Sequence, residues 1–492
     1  MSKYYDVLLS KPSSNVREAR LGSITGYHGC VSDLVQRSAC GGVKNRERCF
    51  SQSSMCLSMC AIGQLLGIRD IAVIYHAPSG CCASAAGTAV LSQQIAAHIG
   101  ETNRSVLVGT DLDENDTVFG AIEPLRKIAL ETFKTHRPQA IFLASSCVSG
   151  VIGEDIDSLA DDLREDIGIP VESVHCEGFK SRIWASGFDA ADHAVLRGIV
   201  KPPKKKRPVI NFKNFFESQR PQITEIFSEL GVTPQFLYMN STVGQLERLS
   251  ESLATVCVCG TLGTYVGNGL EEQYDVPYIR TINFSGVAGF ETWLRKIGEV
   301  IGKEAETEAY LRRERDKYLP RIEALKKELE GRTAVIGMGP GYTYEVSRVL
   351  QELGIKTIWA AAWHFDYKYD NGQNPPALDY LKKHAPNDIG LSVADMQNYE
   401  ILNILNTYKP DIYFSRHPGS TVWAIKQGVT AVYFADEYLA FGYRGTLNFA
   451  QYIADSLKNR SFEKNLAARV DLPYTDWWYK NASDSMLQKE AR

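Results

Sequence analysis

The sequence predicts an α/β fold built from three Rossmann-like parallel-sheet units. Three observations lead there. Short apolar runs alternate with helical stretches beyond the polar N-terminal segment, the pattern of βαβ units and parallel sheets. Several of these runs end close to glycine, as tight strand-to-helix turns favour. The chain has 492 residues, enough for about three domains at roughly 100–200 residues each.

Taken in order, residues 1–50 are polar and turn-rich and read as an extended N-terminal arm. A first α/β domain, 51–205, holds strand-forming runs at Ile71–Tyr75, Ala140–Ser146 and Val171–His175. Pro202–Pro208 (PPKKKRP) reads as a solvated, proline-flanked hinge. A second α/β domain, 206–330, has runs at Val209–Phe212, Phe236–Met239, Ala254–Val258 and Val276–Ile279. It closes on a charged helix over 303–330, which Pro320 should kink or break. The third domain, 331–492, opens with Thr333–Ile336, the GMGPG turn and a helix over Tyr344–Leu353. Strands at Lys356–Ala361, Ile412–Ser415 and Ala431–Phe434 follow before a C-terminal tail.

Composition narrows the class. A net charge of −4 leaves no basic footprint for nucleic acid. No run of 18 or more apolar residues reads as a membrane span. The opening MSKYYDVLLSKPSS lacks the apolar core of a secretory signal, so the expected compartment is the cytoplasm.

The cysteines carry the chemistry. There are 11, and none lies beyond Cys259. A cytoplasmic chain should not hold structural disulfides, so crowding into one half points to thiolate chemistry or metal clusters there. Four apolar runs lead closely into cysteine: IAVIYHAPSGCC, AIFLASSC, VESVHC and ATVCVC. Parallel sheets bind ligands beyond the carboxyl ends of their strands. These cysteines could therefore converge on shared sites; the other reading is that tight turns simply favour small residues. Cys56, Cys60, Cys81, Cys82 and Cys147 form the strongest constellation, because iron–sulfur clusters typically take four thiolates. Their wide spacing means the fold must assemble them, and the units are expected to pack around a metal-cluster site. Cys56 and Cys60, four apart, would face one way on a helix. Of the adjacent Cys81 and Cys82, one should be a bystander. Cys30, Cys40, Cys176 and Cys257 read as small buried hydrophobes.

GMGPG at Gly337–Gly341 follows a strand and opens a helix, where glycine lets backbone N–H groups approach an anion. Tyr342 stands where a dinucleotide fingerprint would have its third glycine. No G-x-x-x-x-G-K-[ST] occurs, so any ATP-dependent step belongs to another protein.

Five segments, in order, resemble one family. CLSMCAIGQLLGIRDIAVIYHAPSGC, TDLDENDTVFGAIEPL, CVSGVIGEDI, CEGFKSRIWASG and CGTLGTYVGNGLEEQYDVPYI are similar to the alpha-type subunit of nitrogenase component 1, with fainter matches at IGMGPG and FGYRG. The resemblance implies that Cys56, Cys81 and Cys147 are ligands of a P-cluster-type [8Fe-7S] cluster shared with a homologous beta-like subunit in an α2β2 assembly. It implies that Cys259 holds a large nitrogenase-type iron–sulfur cofactor, with Gly337, Gly339 and Gly341 letting backbone approach it. It also implies a separate ATP-hydrolysing iron protein as reductase.

Three positions depart from that pattern. Nitrogenases have a cofactor-ligating histidine where this chain has Ala435, a proton-donating histidine at Phe188, and an arginine at Ala89. Alanine and phenylalanine neither bind metal nor shuttle protons. His364 and His417 follow third-domain strands and are the candidates to supply a second ligand or a proton relay. Each also has a plain reading as a structural or surface histidine.

The combination is most similar to the D subunit of the methylthio-alkane reductases, nitrogenase-like enzymes that cleave thioethers to methanethiol and a hydrocarbon. The resemblance therefore implies an iron–sulfur oxidoreductase in which Phe188 makes an apolar wall beside the cofactor. Alternatives from the same family are a scaffold for cofactor assembly and a true nitrogenase alpha subunit; a tetrapyrrole reductase fits less well.

Overall fold

The computed structural model describes residue 20 and residues 23–45, 56–181, 183–215, 217–366, 373–394, 398–416, 418–434 and 440–482. The chain divides into two units, one of Met1–Leu21 with Met55–Ile279 and the other of Gly22–Ser54 with Arg280–Arg492.

Strand β1 (Gly26–Cys30) and helix α1 (Val31–Ala39) come first and belong to the second unit. In the first unit, α2 (Leu57–Leu66) leads into β2 (Ala72–His76), α3 (Ser79–His98) and β3 (Val106–Gly109). Then come β4 (Ile141–Ser145), α4 (Cys147–Ile152), β5 (Val171–Val174) and α5 (Ser186–Gly198). These strands form one all-parallel sheet in the order β3-β2-β4-β5. The central strands are covered on both faces, as parallel strands generally are. Alternation decides which face each side chain serves. Val73, Phe142, Ala144 and Val174 pack with Leu57, Ala61 and Leu65 of α2. Ala72, Ile74, Ile141, Leu143 and Val171 pack with Leu125, Leu159 and Leu163 on the other side. Each fully buried aliphatic side chain contributes about 1.5–3 kcal/mol.

A second parallel sheet in this unit has the order β8-β6-β7, from β6 (Val209–Lys213), β7 (Thr233–Leu237) and β8 (Ala254–Cys257). Helix α6 (Gly260–Tyr274) follows β8 directly. The expected strand at Val276–Ile279 is reduced to a bridge between Tyr278 and Thr255.

The second unit holds α7 (Glu304–Leu329), β9 (Thr333–Met338), α8 (Pro340–Glu352), β10 (Lys356–Ala362), β11 (Gly390–Ala394), β12 (Ile412–Ser415) and β13 (Thr430–Tyr433). Its sheet runs β1-β11-β10-β9-β12-β13 and is parallel except at β1. The chain starts in the middle at β9, steps outward to β10 and β11, then crosses back to β12. The switch point thus lies between β9 and β12, where doubly wound sheets open a crevice at the carboxyl ends of the strands.

Three major parallel sheets match the expected α/β architecture. Two of the expected domain boundaries need correction. Residues 26–39 are not part of an extended arm, because β1 pairs antiparallel with β11 over five residues and Val31, Leu34 and Val35 are buried. The 206–330 division also shifts, since residues from Arg280 onward fall in the second unit.

Pro320 does not break α7, which runs uninterrupted from Glu304 to Leu329. Tyr310, Leu311, Tyr318 and Ile322 are buried along it and hold the helix through the missing hydrogen bond. Pro320→Ala should therefore raise the stability of this unit by about 1–3 kcal/mol, the recovered helical bond outweighing the looser unfolded chain. Calorimetry checks this; an unchanged or lower melting midpoint would mean that the helix depends on its proline.

Candidate metal centre

The parallel ladder brings three cysteine-bearing turns to one end of the first sheet. In register, His76 of β2 lies beside Ser145 of β4, and Ala144 of β4 beside Val174 of β5. Cys81 therefore follows β2, and Cys147 follows β4 at the first position of α4. Ser146 and Ser149 form a capping box that sets this helix start. Cys56 arrives from the other side as the N-cap of α2. All three thiols are exposed. Cys56 and Cys147 converge on Gly178: a side-chain carbon there would lie 2.7 Å from one sulfur and 3.3 Å from the other. Burial pushes the Tyr75 hydroxyl above its ordinary range; a hydrogen bond with Ser58 opposes this, and the sulfurs of Cys176, Cys81 and Cys56 act in the same direction as burial. Helix N-termini at Cys56 and Cys81 favour negative charge on a sulfur held there.

The turns are tied together by groups the sequence reading missed. His76 is fully buried at the end of β2; its Nε2 bonds Glu154, beyond α4, and its Nδ1 lies 3.0 Å from Thr110 Oγ1. Glu154 also accepts the Ala121 amide. An apolar strand ending in a polar residue was the available signal for His76.

The remaining cysteines sort themselves by burial. Cys60 does not share a direction with Cys56. Cys56 caps the helix with extended backbone, so the four-residue rule fails, and Cys60 is 2% exposed, with burial raising its thiol. Cys82 is half-buried, its sulfur 3.5 Å from the Ala77 carbonyl, which leaves Cys81 as the outward thiol. Cys176 is buried with its sulfur on the Ser145 carbonyl, as expected of a small core residue. Cys257 is buried too, and burial pushes its thiol up to about 12. Cys40 is exposed and Cys30 partly so, against expectation, because the short α1 they flank leaves its ends at the surface.

Cys259 is the N-cap of α6 and 5% exposed. Phe188 is half-buried on α5, its ring 5.9 Å edge-on from Trp184. Ala89 is half-buried on α3 against the core. In the second unit, Gly339 caps α8 directly after β9, as the motif predicted. A side chain at Gly339 would make only ordinary contact with Trp363, at 3.7 Å, whereas one at Gly337 would strike the Tyr413 hydroxyl at 2.6 Å. Packing thus explains Gly337 and leaves Gly339 unexplained. Gly341 lies in the first turn of α8. His364 follows β10 and is 2% exposed; its Nδ1 lies 2.8 Å from Asp366 Oδ2 but outside hydrogen-bond geometry, and among the described residues neither ring nitrogen has a hydrogen-bond partner. His417 and Ala435 lie outside the described residues.

Among the described residues, no group of three or more His, Cys, Asp or Glu side chains is arranged to hold a single metal ion. Two outward thiols that meet at Gly178, with a third at Cys81 on the neighbouring turn, suit a larger cluster that draws further ligands from elsewhere. The model of the family "Nitrogenase component 1 type Oxidoreductase" matches residues 56–458. The chain belongs to the nitrogenase component 1 family. Similar members include a nitrogenase molybdenum-iron protein alpha chain from Methanosarcina barkeri, 25% identical over 455 residues, covering 80% of this chain and 84% of that one. A nitrogenase iron-molybdenum cofactor biosynthesis protein NifE from Methanococcus maripaludis is 28% identical over 460 residues, covering 91% and 90%. A solved chain described as nitrogenase Cp1 at pH 5 shares the fold, with a TM-score of 0.69 at 20% identity over 88% of this chain and 94% of that one. No helix among the described residues of this component 1 protein is long and apolar enough to cross a membrane.

Beside the cysteine turns lies a charge cluster. Burial alone would lower His175, but hydrogen bonds that it donates to Asp157 and Glu177 carry it up to about 9. Burial would raise Glu177, yet His175 and Lys180 hold it down to about 2. A histidine raised in the folded state stabilises fully below its unfolded value near 6.5, and that contribution fades as pH rises through about 9. Unfolding midpoints should therefore fall as pH rises from 6.5 to about 9, and His175→Gln should flatten that fall. An equal slope in the variant would assign the pH dependence to other groups.

Proposed function

We propose that this chain is the catalytic alpha-like subunit of a nitrogenase-like reductase, and that its substrate is a small thioether cleaved to methanethiol and a hydrocarbon. The single observation that carries the subunit role is the set of outward thiols at Cys56, Cys81 and Cys147. Three thiolates fall short of what an iron–sulfur cluster of the P-cluster type requires, so a homologous subunit in an α2β2 assembly supplies the remainder. Exposed apolar side chains in the segments that follow the strands of the same sheet support a partner there: Val118, Phe119, Val151 and Phe179 are each at least 61% exposed. Electrons come from a separate ATP-hydrolysing iron protein, since this sequence has no P-loop.

Cys259 would hold the larger iron–sulfur cofactor at the start of α6, and when bound that group supplies electrons to the substrate. At the end of β9 and the start of α8, Gly337, Gly339 and Gly341 would let backbone N–H groups approach an anionic group. Phe188 gives the substrate an apolar neighbour, which favours a thioether over a polar molecule. The overall change balances as a thioether plus two electrons and two protons giving a hydrocarbon and a thiol. His364 is the proton source: its Nδ1 lies 2.8 Å from Asp366 Oδ2, and in the doubly protonated ring Nε2 is the atom that can give up its proton. His417 is a second donor candidate on sequence grounds.

The similarity to NifE favours a second reading, a scaffold on which the cofactor is built and from which it is passed on. Turnover separates the two. Supplied with its beta-like subunit, an iron protein, ATP and dithionite, the reductase releases methanethiol over many cycles, while a scaffold releases none. His364→Ala should slow the reaction by ~10²–10⁴ with iron content retained. Absence of thiol from a fully metallated complex would reject the reductase reading.

A further inference from the structure

Helix α5 buries two carboxylates, Asp189 and Asp192, with no exposure at either. Three residues apart, they lie on neighbouring positions of one helix face. A buried carboxylate needs a cation and hydrogen bonds to be tolerated, and each has both. Arg20 grips Asp189 with two bonds, Nε to Oδ2 at 2.7 Å and Nη2 to Oδ1 at 3.0 Å. The same Nη2 donates to the backbone carbonyl of Thr261. Asp192 pairs with the Lys213 ammonium and accepts the Tyr238 hydroxyl at 2.7 Å and Gln64 Nε2 at 2.9 Å. Lys213 ends β6, where its own carbonyl accepts the Val258 amide at 3.1 Å and its Cα stands in register with Cys257. The turn from Val258 to Thr261 is therefore fastened on both sides of Cys259, and both fastenings lead back to α5.

The geometry points to Asp189 with Arg20, and Asp192 with Lys213, as positioning residues that clamp the Cys259 turn so that its sulfur is presented in one fixed orientation. The clamp stands on its own contacts; what the sulfur holds rests on the function proposed above. Stability alone is a poor reason for such pairs. Apolar residues of similar volume often serve as well or better in a core, so two retained pairs around one turn argue for placement. Each pair is also formally neutral and fixes backbone without adding net charge beside the sulfur.

The test reads thiol reactivity in the full-length, metal-free chain. Cys259 is 5% exposed, so iodoacetamide reaches it only when the turn opens, and its alkylation rate follows the open population. Arg20→Met with Asp189→Leu removes the pair without stranding a charge but leaves the Thr261 carbonyl without its donor. Peptide mapping should show Cys259 alkylated about tenfold faster relative to the exposed Cys81, at a melting midpoint close to that of the parent. Tyr238→Phe, a milder change that loosens Asp192, should accelerate Cys259 by a smaller factor, and it carries the test should the double variant fail to fold. Rates within about twofold of the parent in a folded double variant, or in Tyr238→Phe if only that folds, would overturn the clamp. The readout contains no turnover, so the result is independent of whether the chain is a reductase or a scaffold.

Discussion

A parallel β-ladder has one carboxyl edge, and the first unit depends on it. Hydrogen bonds between β2, β4 and β5 fix which residues stand side by side, so the turns after these strands must emerge together. The cysteines do not need to be close in sequence to meet. Cys81 and Cys147 leave neighbouring strands, and Cys56 is brought in by α2, which packs on the same sheet through Leu57, Ala61 and Leu65. Gly178 then keeps the meeting point open, because any side chain there would displace two of the three sulfurs. The His76–Glu154 bond fastens the turns across the gap.

The same logic acts at Cys259 with different materials. There the turn follows an edge strand of a three-stranded sheet, which offers fewer constraints than a central strand in a larger one. Buried ion pairs from α5 supply what the ladder does not. One helix thus touches both cysteine-bearing regions of the unit: its Gly187 packs tightly on the backbone of α2 beneath Cys56, and its aspartates hold the Cys259 turn.

Much of this was legible in the sequence. Apolar runs at 141–145, 171–174, 209–213 and 412–415 are strands because both of their faces are covered, and no polar residue needs to face water there. Strands β1, β3 and β11 were not foreseen. Gly26–Cys30 reads GYHGC, with two glycines and a histidine, and only its pairing with β11 makes it a strand. Of the site, the exposed thiols could be nominated from spacing and resemblance, but direction could not. Whether Cys60 follows Cys56 depends on a cap conformation, and Cys81 differs from Cys82 only by rotation about α3. The clamp was invisible for another reason: Arg20 lies 169 positions from Asp189, and nothing local to either marks a partner.

The central claim is that Cys56, Cys81 and Cys147 form part of a cluster site completed by another subunit. The most direct measurement is Mössbauer and electron paramagnetic resonance spectroscopy, with iron counting, on the chain alone and on its complex with the beta-like subunit. The account predicts a cluster-poor isolated chain, a strong cluster signal in the complex, and loss of that signal in the Cys147→Ala complex. A full signal from the isolated chain, or an undiminished one in the Cys147→Ala complex, would contradict it.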